Sequence, residues 1–403
     1  MTRLQQVSVC FGAVAMTIAA AGTAYGLSRA IYLDQGSPVS LLTAEHETRE
    51  SALIALGELA FKSEFLLEAS PLRSLGTSMT CDTCHPDGGA RDVVFFEGLS
   101  DKPGNLDVTN RAISLLEDGV FNPLNVPSVR GSKHTAPFGR DGRFDSVEDF
   151  TLFAIANEFA GGTPSDLVIE SLVVFQENLP FPDNPLVDES GQLTEAAPEE
   201  AKRGEALFNR PFPNDPSITC ATCHVPSDYF VDHLVHDLGT GRGGKTGKKF
   251  ETPTLLETTF TPPYFHDGRH DTLAEVVDFF DGYFELALTS GERADLTAYL
   301  EAVGGGTLPE PVENAAVHPT TALTLLDVSL TDDDWLLTRM LVSQLSAELD
   351  RWRGAPDAPA DVTLDQWIKL MRRIEAQTKG QDFEGARGTL IDLEIAISAT
   401  AGG

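Results

Sequence analysis

The chain has 403 residues, of which 41% are hydrophobic, enough for two or three packed domains and too many for a disordered chain. Its formal net charge is −32. This charge excludes a general nucleic-acid binder, which needs positive charge to meet phosphates. It is consistent with steering a cationic electron-transfer partner and equally with solubility in a saline habitat, and charge alone does not decide between them.

The N-terminus predicts an exported protein. Arg3 is followed by an apolar run of small residues from Val7 to Leu27, with Gly22 and Ala24 as candidate cleavage positions. We assign residues 1–30 to a signal peptide or, as the alternative, to an uncleaved membrane anchor, because the run approaches the length that spans a bilayer. The expected location is therefore periplasmic, with membrane contact only through that anchor.

An internal repeat determines the predicted architecture. The segment from Asn125 to Asp149 aligns without a gap with the segment from Glu251 to Glu275. In this register Pro137 pairs with Pro263, and each copy carries the tripeptide Asp-Gly-Arg. A duplicated segment of this kind indicates two related domains in tandem.

Each copy is preceded by an amphipathic helical stretch, LGELAF at 56–61 and RGEALF at 203–208, that leads to a cysteine motif. A proline-rich and acidic segment, residues 180–200, separates the copies and reads as a linker. The predicted fold class is mainly α. We expect two related helical domains, at residues 45–195 and 196–306, and a linker with a C-terminal helical extension at 307–403.

Four of the five cysteines form two C-x-x-C-H motifs, CDTCH at 81–85 and CATCH at 220–224. This is the attachment signature of c-type haem. On a helical turn both sulfurs lie on one side, where each forms a thioether with a haem vinyl group, and the next histidine reaches the iron. A structural zinc site and a thioredoxin-like redox pair are the alternatives, but neither uses the histidine. We predict two haem c groups, attached through Cys81, Cys84, Cys220 and Cys223 and ligated by His85 and His224.

At this point the chain resembles a known family, the bacterial dihaem cytochrome c peroxidases together with the related MauG-type enzymes. The resemblance rests on CDTCH, the NVPS and DGR segment, NEFAGG, CATCH, and TPTL leading to TPPYFHDGR, and it covers about residues 50–305. It implies that the two tandem helical domains are cytochrome c-like, with an open catalytic haem in the first domain and an electron-transfer haem in the second.

The resemblance also implies site residues. Glu158, in NEFAGG, falls where the family places its distal acid/base glutamate, a role that suits a carboxylate held above an open iron. An ordinary glutamate on the surface of a helix is the alternative. Asn125, Thr261 and Pro263 match positions that in the family hold a calcium ion between the domains through oxygen ligands. Turn chemistry explains the same residues equally well.

The chain departs from that family at the sixth iron ligands. Between His85 and Cys220 it has one histidine, His134, and neither methionine nor tyrosine, so we expect the first haem to be open. Where the family has the sixth ligand of the second haem iron, this sequence reads VDFFDGY, and Tyr283 is our candidate for that ligand. A partly open second haem is one alternative, and the rival ligands are His233, His236 and His270.

These features predict a periplasmic dihaem oxidoreductase. Hydrogen peroxide is reduced at the first haem, and a small cytochrome c or cupredoxin supplies electrons through the second. One alternative is MauG-type oxidation of a protein or other organic substrate. Another is a non-catalytic dihaem electron carrier, in which both irons have six ligands.

Overall fold

The computed structural model of the chain describes residues 48–71, 79–241, 248–309, 317, 319–353 and 360–401. These residues form mainly α-helix with two small antiparallel sheets, so the predicted mainly α fold class is confirmed. The chain divides into two compact units, one of Leu53–Ala316 and one that contains Val317–Gly403. None of the described helices is long and apolar enough to cross a bilayer. The predicted export segment, residues 1–30, lies outside the described residues.

Within the unit Leu53–Ala316 the same order of elements occurs twice. The first series is α1 (Arg49–Phe61), α2 (Cys81–Cys84), β1 (Asn105–Leu106), β2 (Leu124–Asn125), α3 (Val147–Phe153) and α4 (Asp166–Glu177). The second is α5 (Glu199–Phe208), α6 (Cys220–Cys223), β3 (Val235–His236), β4 (Phe250–Glu251), α7 (Leu273–Tyr283) and α8 (Ser290–Gly304). The two strands of each series pair antiparallel. We call the two series the first and the second domain.

The aligned repeats also share their local backbone structure. A 3₁₀ turn at Ser132–His134 corresponds to one at Thr258–Phe260. The helices that follow, α3 and α7, are both capped by a hydroxyl group, since Ser146 and Thr272 each accept a hydrogen bond from the backbone amide three residues later. The duplication seen in the sequence is therefore a duplication of structure.

In both domains the first helix crosses the last one at a glycine. A Cβ atom on Gly57 of α1 would overlap the carbonyl oxygen of Ser171 in α4. A Cβ atom on Gly204 of α5 would overlap the carbonyl oxygen of Asp295 in α8. Because glycine has no Cβ, the two backbones of each pair can approach to direct contact. This crossing fixes the helices that bracket each cysteine motif.

The unit that contains Val317–Gly403 is helical. Its helices are α9 (Pro319–Thr331), α10 (Trp335–Trp352), α11 (Asp361–Lys379) and α12 (Phe383–Ala401). Each packs against the next, and α9 also contacts α12. Leu341, Trp367, Met371 and Ile374 are buried between them, so the apolar stripes of this segment form its core.

The glycine crossing predicts a stability change. Gly204→Ala should lower the free energy of unfolding by about 1–3 kcal/mol, because the new methyl group has no space beside the Asp295 carbonyl. Gly282→Ala in α7 is the matched control, since a Cβ there meets no atom within 4 Å. The control should be neutral or should stabilise by about 0.5–1 kcal/mol. Denaturant unfolding of the haem-loaded protein measures both, and equal stability of the Gly204→Ala variant and the wild type would contradict the close crossing.

Candidate functional site: two motifs on one cavity

A cavity of about 530 Å³ with mostly apolar walls extends past both cysteine motifs. All six predicted attachment and ligand residues line it: Cys81, Cys84, His85, Cys220, Cys223 and His224. None of these four cysteines forms a disulfide. The structure therefore brings the two motifs, which are far apart in sequence, to one continuous site.

His85 is oriented by the backbone of the repeat. Its Nδ1 lies 2.8 Å from the carbonyl oxygen of Pro127, so Nδ1 carries the proton and Nε2 keeps its lone pair. Burial lowers the pKa of His85 to about 4, which keeps the imidazole in its neutral form. The ring of Phe61 on α1 packs beside it, with centroids 6.5 Å apart. A hydrogen bond on the outer nitrogen is the usual arrangement of a metal-ligating histidine.

The second histidine repeats this arrangement. His224 Nδ1 lies 3.2 Å from the carbonyl oxygen of Phe230, and the ring of Phe208 on α5 lies 6.5 Å from the His224 ring. Burial lowers the pKa of His224 as well. In each motif, paired thiols, a neutral imidazole with a free Nε2 and apolar walls match the donor set of a covalently attached haem. Both motifs therefore fit one haem c each.

Glu158 lies on the same cavity, on the side of the first domain. A single π turn, Ala154–Glu158, continues α3 and ends at this residue. The side chain is buried, and its Oε1 accepts a hydrogen bond of 3.1 Å from Nη2 of Arg143. Burial raises the pKa of Glu158 to about 7, against the opposing effect of Arg143. The predicted acid/base residue is thus a buried carboxyl group that exchanges a proton near neutral pH.

Arg143 is a site residue that the sequence analysis did not identify. It belongs to the Asp-Gly-Arg tripeptide of the first repeat, and its guanidinium lies over the ring of Phe153, 4.9 Å from the centroid. Its side chain is 31% exposed, so it connects the buried Glu158 to solvent. In the second repeat the equivalent Arg269 binds Asp267 instead, at 2.8 Å. The repeated tripeptide could have drawn attention to Arg143. Its partner, Glu158, lies 15 residues away in the chain, and only the fold shows this contact.

The two domains are joined by a reciprocal pair of backbone hydrogen bonds. Asn125 N donates to His266 O at 2.8 Å, and Glu251 N donates to Arg140 O at 3.0 Å. In the repeat alignment Asn125 corresponds to Glu251, and His266 corresponds to Arg140. The contact is therefore the same on both sides, as in a pseudo-twofold interface.

The three predicted calcium residues meet at this interface. Asn125, Thr261 and Pro263 all line the cavity. Asn125 Nδ2 donates to the carbonyl oxygen of Pro263 at 2.6 Å, so a side chain of the first domain is in contact with a backbone oxygen of the second. An Asn side chain of the first domain thus meets a carbonyl oxygen of the second, a contact that by itself is also ordinary turn chemistry.

Tyr283 lies in a place that does not suit an iron ligand. Its side chain is 45% exposed and does not line the cavity, and its hydroxyl donates to the carbonyl oxygen of Asp237 at 3.4 Å. The reason is helical periodicity, because α7 turns Phe280 toward the cavity and Tyr283 away from it. Of the rival histidines, His233 and His270 do not line the cavity, and His236 lines it with Nε2 2.7 Å from Asp232. His134 is also off the cavity and stacks on Tyr229.

Comparison with known proteins agrees with these motifs. Residues 198–301 match the family model described as di-haem cytochrome c peroxidase. Hydrazine synthase subunit gamma of Kuenenia stuttgartiensis is 25% identical over 315 residues, which cover 64% of this chain and 80% of that protein. Methylamine utilization protein MauG of Methylophilus methylotrophus is 25% identical over 281 residues, 57% of this chain and 78% of that protein.

A shorter match is closer in sequence. Cytochrome-c peroxidase IdrP2 of Denitromonas iodatirespirans is 41% identical over 64 residues, 14% of this chain and 17% of that protein. Together with the two cysteine motifs, these similarities confirm the resemblance found in the sequence. Residues 198–301 therefore carry a di-haem cytochrome c peroxidase domain, and the chain is similar to oxidoreductases of the dihaem peroxidase and MauG type, whose cofactor is haem c.

Proposed function

We propose that the chain reduces hydrogen peroxide at the haem held by His85, with Glu158 as the group that moves the proton. The observation that carries the proposal is the buried Glu158 carboxyl on the cavity of the first motif, hydrogen-bonded to Arg143 at 3.1 Å. When bound, the haem supplies the redox-active iron at which peroxide is reduced. The net reaction consumes one peroxide, two electrons and two protons and gives two waters.

The residues of this chain supply proton transfer and positioning. The carboxylate of Glu158 takes a proton from the oxygen of peroxide nearer the iron and returns it to the leaving oxygen. Arg143 holds the carboxylate in one orientation and lowers its pKa, so that an ionised fraction exists near neutral pH. Because the walls around Glu158 are apolar, water competes little for the proton.

Three finer parts of the proposal come from the sequence. We propose a periplasmic location, on the basis of the N-terminal segment, and a small reduced cytochrome c or cupredoxin as the donor of the two electrons. We also propose that a calcium ion binds between the domains at Asn125, Thr261 and Pro263. The position is supported by the shared cavity wall, which all three residues line, and by the contact of the Asn125 side chain with the Pro263 carbonyl, an oxygen that suits calcium.

Oxidation of a protein or other organic substrate is the second candidate. It is favoured by the second domain, where helix α7 presents Phe280 rather than an iron ligand to the cavity. A haem without a thioether ligand has a lower reduction potential. Such a haem accepts electrons less readily from a high-potential cytochrome. A purely electron-carrying protein is disfavoured, since it has no use for a buried acid such as Glu158.

The first prediction concerns Glu158. Glu158→Gln should keep both haems attached and slow peroxide cleavage by about 10²–10⁴-fold, because the amide cannot take the proton. Stopped-flow spectroscopy of the resting protein with peroxide measures the rate. Glu148→Gln, an exposed position on α3, is the matched control and should react as the wild type does. A Glu158→Gln variant with an undiminished rate would remove this residue from the mechanism.

The second prediction concerns pH. The rate of peroxide cleavage should rise with pH, reach half its maximum near pH 7 and level off about one pH unit higher, because burial raises the pKa of Glu158 to about 7 and the ionised form is the active base. Arg143→Leu removes the charge that lowers this pKa, so the midpoint should move to higher pH, whereas Arg143→Lys should keep it lower. The same stopped-flow experiment across pH gives the midpoints. A midpoint that is unchanged in Arg143→Leu, or still present in Glu158→Gln, would assign the titration to another group.

A further inference from the structure

Two helices that are equivalent in the repeat face the cavity with different side chains. Helix α3 with its π turn presents Ala154 and Glu158 on the side of the first motif. The register that pairs Asn125 with Glu251, continued along the chain, pairs Ala154 with Phe280 and Glu158 with Phe284. Phe280 and Phe284 also line the cavity, on the side of the second motif. The second domain therefore has two benzene rings where the first has a methyl group and an acid.

The walls around these rings are apolar as well. Leu273, Val276 and Val277 of α7 and Leu296 and Leu300 of α8 line the cavity beside them. Several of these side chains belong to the buried cluster that packs against Cys220 of the second motif. None of these groups can bind iron or donate a proton. The wall of this half of the cavity thus differs in chemistry from the wall that carries Glu158.

Three polar or ionisable side chains on this part of the cavity wall, those of His236, His266 and Tyr264, contact other protein groups. His236 Nε2 lies 2.7 Å from Asp232, and the pair lies beside Cys223, with the ligand atoms of all three within 4.8 Å of one another. The His266 ring stacks on Phe250, with centroids 3.7 Å apart. The Tyr264 hydroxyl donates to the carbonyl oxygen of Thr258 at 3.0 Å. In the part of the chain that the structure describes, no such group is presented by α7.

We propose that, among the residues that the structure describes, no side chain besides His224 is a ligand of the haem attached to Cys220 and Cys223, and that the apolar wall bounded by Phe280 and Phe284 lets this haem bind small uncharged ligands such as carbon monoxide. The inference rests on the proposed haem at the second motif and extends it. Carbon monoxide needs only a ferrous iron and space, whereas peroxide cleavage needs an acid/base group. Both irons accept the gas, but only the first, beside Glu158, cleaves peroxide.

The test is a titration of the fully reduced, haem-loaded protein with carbon monoxide, with the haem content measured independently. We expect two molecules of carbon monoxide per chain. Phe280→Met places a thioether on the same face, so this variant should bind one molecule per chain and the potential of its second haem should rise. Phe279→Met is the matched control, because Phe279 is also on α7 but does not line the cavity. It should still bind two.

The outcomes separate this inference from the proposed function. A wild-type protein with two haems that binds one carbon monoxide would overturn the inference. So would a Phe280→Met variant that still binds two, since Phe280 would then not face the iron. Glu158→Gln should lose peroxide cleavage and keep two bound gas molecules. A protein that binds two molecules and does not react with peroxide would support the open second iron and refute the peroxidase proposal.

Discussion

The site depends on the reciprocal backbone pairing between the two domains. Each domain donates one amide to one carbonyl of the other, from Asn125 to His266 and from Glu251 to Arg140. A buried ion pair lies at the same interface, with Arg130 Nη1 3.6 Å from Glu257 Oε2 and both side chains less than 10% exposed. Removing one partner alone would leave an unpaired buried charge at a cost of about 3–5 kcal/mol, so the pair favours this one arrangement of the domains. This interface is the reason that two separate cysteine motifs share one cavity.

The two domains share this arrangement but differ in the charged side chains at equivalent positions. The first domain keeps a buried acid and directs Arg143 to it, while in the second Arg269 is neutralised by its own neighbour Asp267. Burying Glu158 is unfavourable, as its raised pKa shows, and a buried acid that faces a cavity is typical of a functional site. At the equivalent place the second domain has phenylalanine instead. A duplicated scaffold thus holds one polar and one apolar reaction environment.

The sequence was sufficient for features that depend on local covalent geometry or on repetition. The C-x-x-C-H spacing predicted that each histidine lies beside its cysteine pair on one cavity, and the repeat predicted the duplicated order of helices and strands, whereas the boundaries of the two domains stay a prediction. The sequence was insufficient where the role of a residue depends on which face of its helix is turned toward the cavity. Tyr283 and Phe280 are close neighbours on one helix, and only the fold shows which of them faces the cavity. The pairing of Arg143 with Glu158 likewise depends on a π turn, which no pattern in the sequence predicted.

The interface also indicates how the cofactor and the fold depend on each other. Arg140 lines the cavity, and its Nη2 donates to the Asn125 carbonyl at 2.9 Å, while its Nε has no hydrogen-bond partner among the described residues. The same is true of Oε2 of Glu251, the nearby buried carboxyl whose pKa is raised to about 7 by burial. A buried guanidinium with an unused donor is unfavourable unless an anion completes it. A haem propionate beside Arg140 would supply an acceptor for this unused donor. Loading of the haem would then stabilise the domain interface as well as complete the site.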